Sequence, residues 1–560
     1  MALWSNIVSK LKEILKKMIG SRTIEQTLHV SPIMSSQMES AIQLWADMYK
    51  NQAPWLKDAT LDNPVRIASL GIPAMIASEK ARTALLEFES EVTTPTKEVE
   101  KPNPKYTAPE PDEYGYIKPS IEPETITEDV PVTATDRAEY LEEQYKKLKR
   151  QLRRQLEYGI AKGGLVIKPY LVANEVDGKD TDWQIEFDFI QADSFYPLAF
   201  DASGRITEAA FIQTQIEKDV IFRRLEYHQW KNNTVTIVNK AFKSNTNTDN
   251  RGEMSGLDLG QEVPLSSVSA WKDLQETVTI KNMQKPLFAY FKVPIANTVD
   301  TTSPLGVSGY SRAVSLIKDA DMQYSRLLWE YEAGEMAIDI DRDALNIVED
   351  GKGQMRSVPN ILQARLFRKV DLGESDTYQQ FAPTLRDVSY NTGLNTILMR
   401  IEDVSALSRG TLSDVTVEAK TATEIKILKQ RTYQANKDIQ DTLEDTLKDV
   451  VYIMNAYCDL YKITKDGEYD VSFEWDDSLI VDVDTELTKR LTLMQNGLTS
   501  KLETRMWYFG ETERQAAEAL QKIKGESMSD MEDEMVMNDN GSDDFPPKSK
   551  KKTPPTNSGE

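Results

Sequence analysis

Apolar positions recur at helical spacing through four long stretches of the chain. Leu141, Tyr145, Leu148, Leu152 and Leu156 share one face of a helix that Thr135 or Asp136 caps and Gly163 and Gly164 end. A second stripe begins after "TTSPLGVSGYS" and runs through Ala313, Leu316, Ile317, Ala320, Tyr324, Leu327, Leu328 and Tyr331 toward Gly334. A third, over about 385–404, carries Val388, Leu394, Ile397, Leu398 and Ile401, and a fourth runs from about Thr421 to Tyr461. The fourth, with Ile425, Leu428, Ala435, Ile439, Leu443, Leu447, Val450, Met454 and Tyr457, is far longer than the usual helix of about three turns.

Between the first and second stripes the period changes to two. "LVIKPYLVA", "WQIEFDFIQA", "AAFIQTQIE", "IFRRLEYHQW", "TVTIVNK" and "LFAYFKVP" predict a mixed or antiparallel sheet, so the fold class is α+β. Shorter helical patches lie within 34–91, and Leu3, Ile7, Leu11, Ile14, Leu15 and Met18 line an N-terminal helix surrounded by lysines. Residues 93–135 are rich in Pro, Glu and Thr and are expected to be a disordered insertion. Residues 336–384 read as a compact excursion with turns at "EDGKG" and "SVPN". The last segment, 526–560, is a charged and disordered tail.

Composition narrows the function. With 560 residues the chain exceeds a single core and predicts at least two packed units. Its net charge of -23 repels nucleic acid overall, so contact with DNA has to be local or weak. One cysteine, Cys458, excludes a disulfide framework, and with only His29 and His228 a zinc site is not expected. No run approaches the roughly 20 apolar residues of a membrane span. The interspersed lysines of the first 19 residues suit a helix docked on protein better than a signal peptide or a membrane-surface helix.

Catalytic constellations are missing. "EDGKGQMRS" lacks the spacing of a phosphate loop, and neither H-E-x-x-H nor G-x-S-x-G occurs. His228 reads as a strand histidine packed against Tyr227 and Trp230 rather than a triad member. Asp339, Asp341, Asp343 and Asp350 match calcium-loop positions, but Ala344 stands where the turn wants glycine and the bidentate glutamate is absent. Asp476/Asp477 and Asp482/Asp484 are carboxylate pairs that a metal-dependent nuclease could use, but without an adjoining lysine motif they read rather as turn and helix-capping acids. No cofactor or metal is expected.

The order of elements, with "IQLWADMYKNQAPW", "LEYGIAKGGLVIKPYL", "PLGVSGYSRAVSLIKDADMQYSRLLWEYEAG" and "NGLTSKLETRM" in sequence, resembles the portal proteins of tailed bacteriophages, similar to the SPP1/A118 type, over about residues 30–525. The resemblance implies a portal architecture of wing, stem, clip and crown in a ring, usually twelve-fold, at one capsid vertex. Residues 1–305 would be the wing, 306–334 the first stem helix, 335–384 the clip and 385–404 the second stem helix. Residues 405–420 would be the tunnel loop, 421–461 the long tunnel helix, 462–485 a connection through the wing, and 486–525 the crown. Double-stranded DNA would pass the tunnel loop near Ser408, Arg409, Gly410 and Thr411, with Lys420, Lys426 and Lys429 rising along the helix behind it. Lys352, Arg356, Arg365, Arg368 and Lys369 would lie on the clip, which in this family docks the terminase large subunit and later a head-completion adaptor. Further implied partners are the major capsid and scaffolding proteins, with no stable membrane association. The implied location is the virion, after assembly in the host cytoplasm. The alternatives are a metal-dependent DNA-processing enzyme and a peripheral membrane protein held by residues 1–19.

Overall fold

The computed structural model describes residues 24–28, 30, 33–57, 67–86, 88–102, 125–176, 180–217, 220–244, 259–341, 347–349, 355–357, 367–370, 378–414, 422–475 and 483–523. The N-terminal helix expected over residues 1–19, the acidic-basic tail and His29 lie outside them. The chain divides into two units after Asp476, each described by itself below.

In the larger unit, helices α1 (Ser36–Tyr49) and α2 (Ile72–Ala84) precede strand β1 (Glu89–Thr93) and the pair β2 (Thr96–Pro102) and β3 (Thr125–Pro131). β2 and β3 form an antiparallel ribbon in register from Thr96↔Pro131 to Pro102↔Thr125. The disordered insertion expected over 93–135 therefore needs correction at both ends. Thr96, Val99, Thr125, Ile126, Thr127 and Val130 supply enough β-branched character for a backbone ladder, which composition alone, dominated by Pro and Glu, conceals. Residues 103–124 lie outside the described residues.

Helix α3 (Asp136–Lys162) follows, with Leu141, Tyr145, Leu148, Leu152 and Leu156 all buried as the pattern predicts. Thr135 makes no side-chain cap, and the helix stops at Gly163, whose left-handed φ of 94° lets its N–H bond Gly159 O at 2.8 Å. Strands β4 (Gly164–Val176) and β5 (Asp180–Gln191) come next. They are followed by β6 (Phe195–Phe200), β7 (Ile206–Glu217), β8 (Val220–Lys231), β9 (Thr234–Ser244), β10 (Gln261–Val263), β11 (Thr277–Lys281) and β12 (Ala289–Lys292). They form two antiparallel sheets, β12-β4-β5 and β10-β9-β8-β7-β6, with β11 also pairing with β9. Asn232 and Asn233, at φ 51° and 53°, make the two-residue turn between β8 and β9, the conformation that asparagine tolerates and hairpin twist favours.

Helix α4 (Val314–Ala333) leads to strands β13 (Ala337–Asp341), β14 (Ile347–Glu349), β15 (Met355–Ser357), β16 (Phe367–Val370) and β17 (Tyr378–Phe381). β13 is the centre of a three-stranded sheet, parallel to β16 and antiparallel to β17, and β14 pairs with β15. Helix α5 (Asp387–Val404) returns, and the 40-residue helix α6 (Ala422–Tyr461), about 60 Å long, carries the chain back into the core. Ile439, Leu443, Leu447, Val450 and Met454 of α6 are buried in one cluster with Leu152, Leu156, Ile167 and Phe291. Strand β18 (Asp470–Glu474) closes the unit by pairing with β1. Arg137, fully buried, staples the start of α3 to the end of α6 through Asn455 Oδ1 and Asp459 Oδ1, both at 2.6 Å, and through Thr464 Oγ1 at 2.6 Å.

The smaller unit contains α7 (Val483–Gln495), α8 (Lys501–Phe509) and a further helix over 513–523. Ser500 and Glu503 cap α8 reciprocally, the Arg490 guanidinium sits 4.4 Å from the Trp507 ring centre, and Arg505 binds Glu511 at 2.7 Å.

Candidate functional site: the helical hairpin and its loop

Helices α4 and α5 form an antiparallel hairpin whose tip opens into the β13–β17 strands. At the tip Gly334 lets Leu385 close in, since a Cβ there would lie 2.1 Å from Leu385 Cδ2. Arg386 locks the same level by donating from its backbone N and Nε to Glu330 Oε1, both at 3.1 Å, and from its second terminal nitrogen to Oε2 at 2.7 Å. These bonds hold the Glu330 carboxyl below the usual range.

At the other end of α5 two adjacent acids organise residues 405–414. Glu402 is completely buried, and its Oε1 accepts the backbone N–H groups of Leu412 (2.6 Å), Ser413 (2.9 Å) and Gly410 (3.2 Å). Its Oε2 takes the Ser413 hydroxyl at 2.7 Å. Gly410 stands at φ 91° and Ala406 at φ 55°, so the segment doubles back in two left-handed steps. Asn395 fixes the far end reciprocally, accepting from Asp414 N at 2.8 Å and donating to Asp414 O at 3.0 Å.

Asp403 gathers three guanidiniums. Arg409 and Arg431 each approach it at 3.0 Å and Arg400 at 3.7 Å. The hydrogen bond from Arg409 is the main reason its carboxyl lies below the usual range. The Ser408 hydroxyl meets Thr432 Oγ1 of α6 at 2.8 Å, and Thr411 Oγ1 donates to Ser408 O at 2.7 Å.

The predicted tunnel-loop residues thus divide. Ser408, Arg409, Gly410 and Thr411 come together in one bonded turn, Lys420 lies outside the described residues, and Lys426 and Lys429 lie on the α6 backbone with side chains outside them. Residues 405–414 form a clasp. The signal sits in the helix before the loop, where Glu402 and Asp403 end α5, and no loop composition reports it. Sequence reasoning likewise missed Arg400, whose i,i+3 spacing from Asp403 on the same helix was a signal, and Arg431, which comes from the next helix.

Of the expected clip cations, Arg356 lies on β15 opposite Val348, and Arg368 and Lys369 lie on β16 opposite Asp339 and Ile340. Lys352 and Arg365 lie outside the described residues. Asp339 and Asp341 belong to an extended strand, a poor frame for a calcium loop, while Asp343 and Asp350 lie outside the described residues, as do Asp476, Asp477 and Asp482. Among the described residues no group of three or more His, Cys, Asp or Glu side chains is placed to hold a metal ion, and no helix is long and apolar enough to cross a membrane.

His228 is a core residue, but Tyr227 is not the neighbour expected. Strand alternation turns Tyr227 to the opposite face, and the imidazole meets Phe211 and Phe288 edge-on at 5.4 and 6.0 Å. Its Nε2 bonds Glu226 at 2.6 Å, while Lys168 reaches both Glu226 oxygens at 2.9 Å and Arg224 one at 2.7 Å. On the outer face of α3, Lys146 and Lys149 pair with Glu142 and Lys147 with Glu186, leaving Arg150, Arg153 and Arg154 exposed.

No curated protein matches the chain. A family model described as phage portal protein, SPP1 Gp6-like, matches residues 131–532, a span that starts just before α3 and takes in both sheets, the helical hairpin, its loop, the long helix and the described helices of the smaller unit. With that match covering well over half of its length, the chain belongs to the phage portal proteins of the SPP1 Gp6-like family.

Proposed function

We propose that this chain is the subunit of a portal ring, usually twelve-fold in this family, through which double-stranded DNA enters and leaves the capsid. In this reading α4 and α5 are the stem, the β13–β17 strands the clip that receives terminase and later the adaptor, and residues 405–420 the tunnel loop. The sheets and α3 belong to the wing, and the smaller unit to the crown. The observation that carries the reading is the hairpin itself. It leads to a separate β module at one end and holds a clasped loop at the other, ahead of a 40-residue helix in the chain.

Exposed apolar side chains support a ring. Trp329 is 55% exposed and Val388 72% exposed, and Leu328, Tyr331, Met336 and Phe381 are exposed near the same end of the hairpin. Such a grouping in one chain suits burial against a second copy, because a ring closes through heterologous contacts. The net charge of -23 suits a passage that DNA must slide through without being retained. No observation favours the nuclease or membrane alternatives.

The test is genome filling. Heads assembled with this chain should protect full-length DNA from nuclease, and heads assembled without it should stay empty. Filling in its absence contradicts the assignment.

A further inference from the structure

We propose that Arg400, Arg409 and Arg431 form a phosphate contact for DNA that Asp403 deliberately weakens. This rests on the portal reading above and adds to it the residues that touch the DNA backbone and the acid that limits their grip.

Three guanidiniums converge on one carboxylate, with Arg431 on Asp403 Oδ1 and Arg409 and Arg400 on Oδ2. One carboxylate cannot neutralise three cations. Counting the neighbouring Glu402 as well, the group keeps a surplus of one positive charge. Glu402 is spent on the backbone of residues 410–413 and is sealed from solvent. The three arginine side chains, by contrast, are between 48% and 68% exposed. Each guanidinium carries five N–H donors in a planar fork, and the bonds to Asp403 use few of them. Phosphate oxygens match the donors left over, bidentately where geometry allows.

The arginines come from three elements: Arg400 from α5, Arg409 from the clasp and Arg431 from α6. The clasp and the three ion pairs with Asp403 hold them in one place. Asp403 competes with phosphate for the same donors, so any binding to DNA begins by breaking an existing ion pair. A ligand that must keep moving needs such a grip: attractive enough to centre the duplex and too weak to stop it.

The experiment uses the full-length ring and a fluorescent 30-base-pair duplex, with anisotropy followed from low to moderate salt. Asp403→Asn removes the competitor and should tighten binding about threefold or more at low salt. Replacing all three arginines by alanine should weaken binding and make its salt dependence shallower, by about 0.9 in log–log slope for each phosphate that the variant no longer neutralises. Opposite shifts from the two variants support the proposal. Binding by Asp403→Asn that is unchanged or weaker overturns it, as does an unchanged salt slope in the triple variant. Rings that dissociate in the triple variant but not in Asp403→Asn also overturn it, identifying the cluster as an interface between copies. Absence of rings in the unaltered chain contradicts the portal reading instead, and the duplex measurements then still report on the cluster.

Discussion

The backbones of Gly163 and Gly306 touch: a Cβ on Gly306 would sit 2.1 Å from the carbonyl oxygen of Gly163, and one on Gly163 would sit 2.7 Å from that of Gly306. Gly163 O also accepts Val293 N at 3.1 Å, and Gly309 N donates to Ile160 O at 2.8 Å. The end of α3, the last strand of its sheet and the entry to the hairpin are thereby welded at one point. Gly306→Ala should destabilise the chain by about 2–3 kcal/mol or more, because backbone rather than a side chain must move. Gly309→Ala should cost less, since its Cβ first meets the Ile160 side chain at 2.8 Å. Urea unfolding of the two variants measures the difference.

The clasp makes a prediction about order. Glu402→Ala takes the acceptor from the buried Ser413 N–H and hydroxyl and from the part-buried N–H groups of Leu412 and Gly410, so it should cost about 1.5–3 kcal/mol and open the turn. Hydrogen exchange at Gly410, Leu412 and Ser413 should accelerate at least tenfold while that of the α6 core stays unchanged. Equal protection in the variant would show that Glu402 does not hold the turn.

Among these features the helices were the most legible, since Leu141 to Leu156 and Ile439 to Met454 repeat at a period that only one face of a helix satisfies. Strands with a clear alternation were legible too. Strands β2 and β3 were hidden because a ladder needs backbone and β-branched residues, not an apolar composition. "GIAKGG" and "PLGVSGYS" stood out as phrases, yet their meeting at Gly163 and Gly306 depends on a separation of more than a hundred residues. The Asp403 cluster was legible only in part: Arg400 stands at i,i+3 spacing on the same helix, whereas Arg431 reaches it only because α6 runs back past the end of α5.

Acidification should weaken the sheet domain through the Lys168–Glu226–His228 group. Burial pushes His228 below its usual 6.5, so the folded state resists protonation, and stability present above about pH 6.5 falls as pH drops toward the folded value. Burial works to raise Glu226, but Lys168, His228 and Arg224 outweigh it and hold it well below 4.5. Its contribution is present above about 4.5 and is lost as pH falls through the folded value. The bond to Glu226 selects the tautomer with hydrogen on Nε2, leaving Nδ1 without a partner among the described residues. His228→Gln should flatten the loss just below pH 6.5 in thermal melts. Lys168→Met should cost about 3–5 kcal/mol at neutral pH by leaving a buried carboxylate short of its main counter-charge.

Assembly should depend on the exposed end of the hairpin. Trp329→Asp or Val388→Asp should leave far-ultraviolet circular dichroism intact and raise the concentration needed for assembly about tenfold or more. Sedimentation velocity across a dilution series gives that concentration, and unchanged assembly in both variants would place the subunit interface elsewhere.

Negative-stain microscopy of the purified full-length chain tests the central claim most directly. The account predicts closed rings with a central opening wide enough for duplex DNA, about 20 Å or more. Monomers that persist at high concentration, or closed particles without an opening, would contradict it.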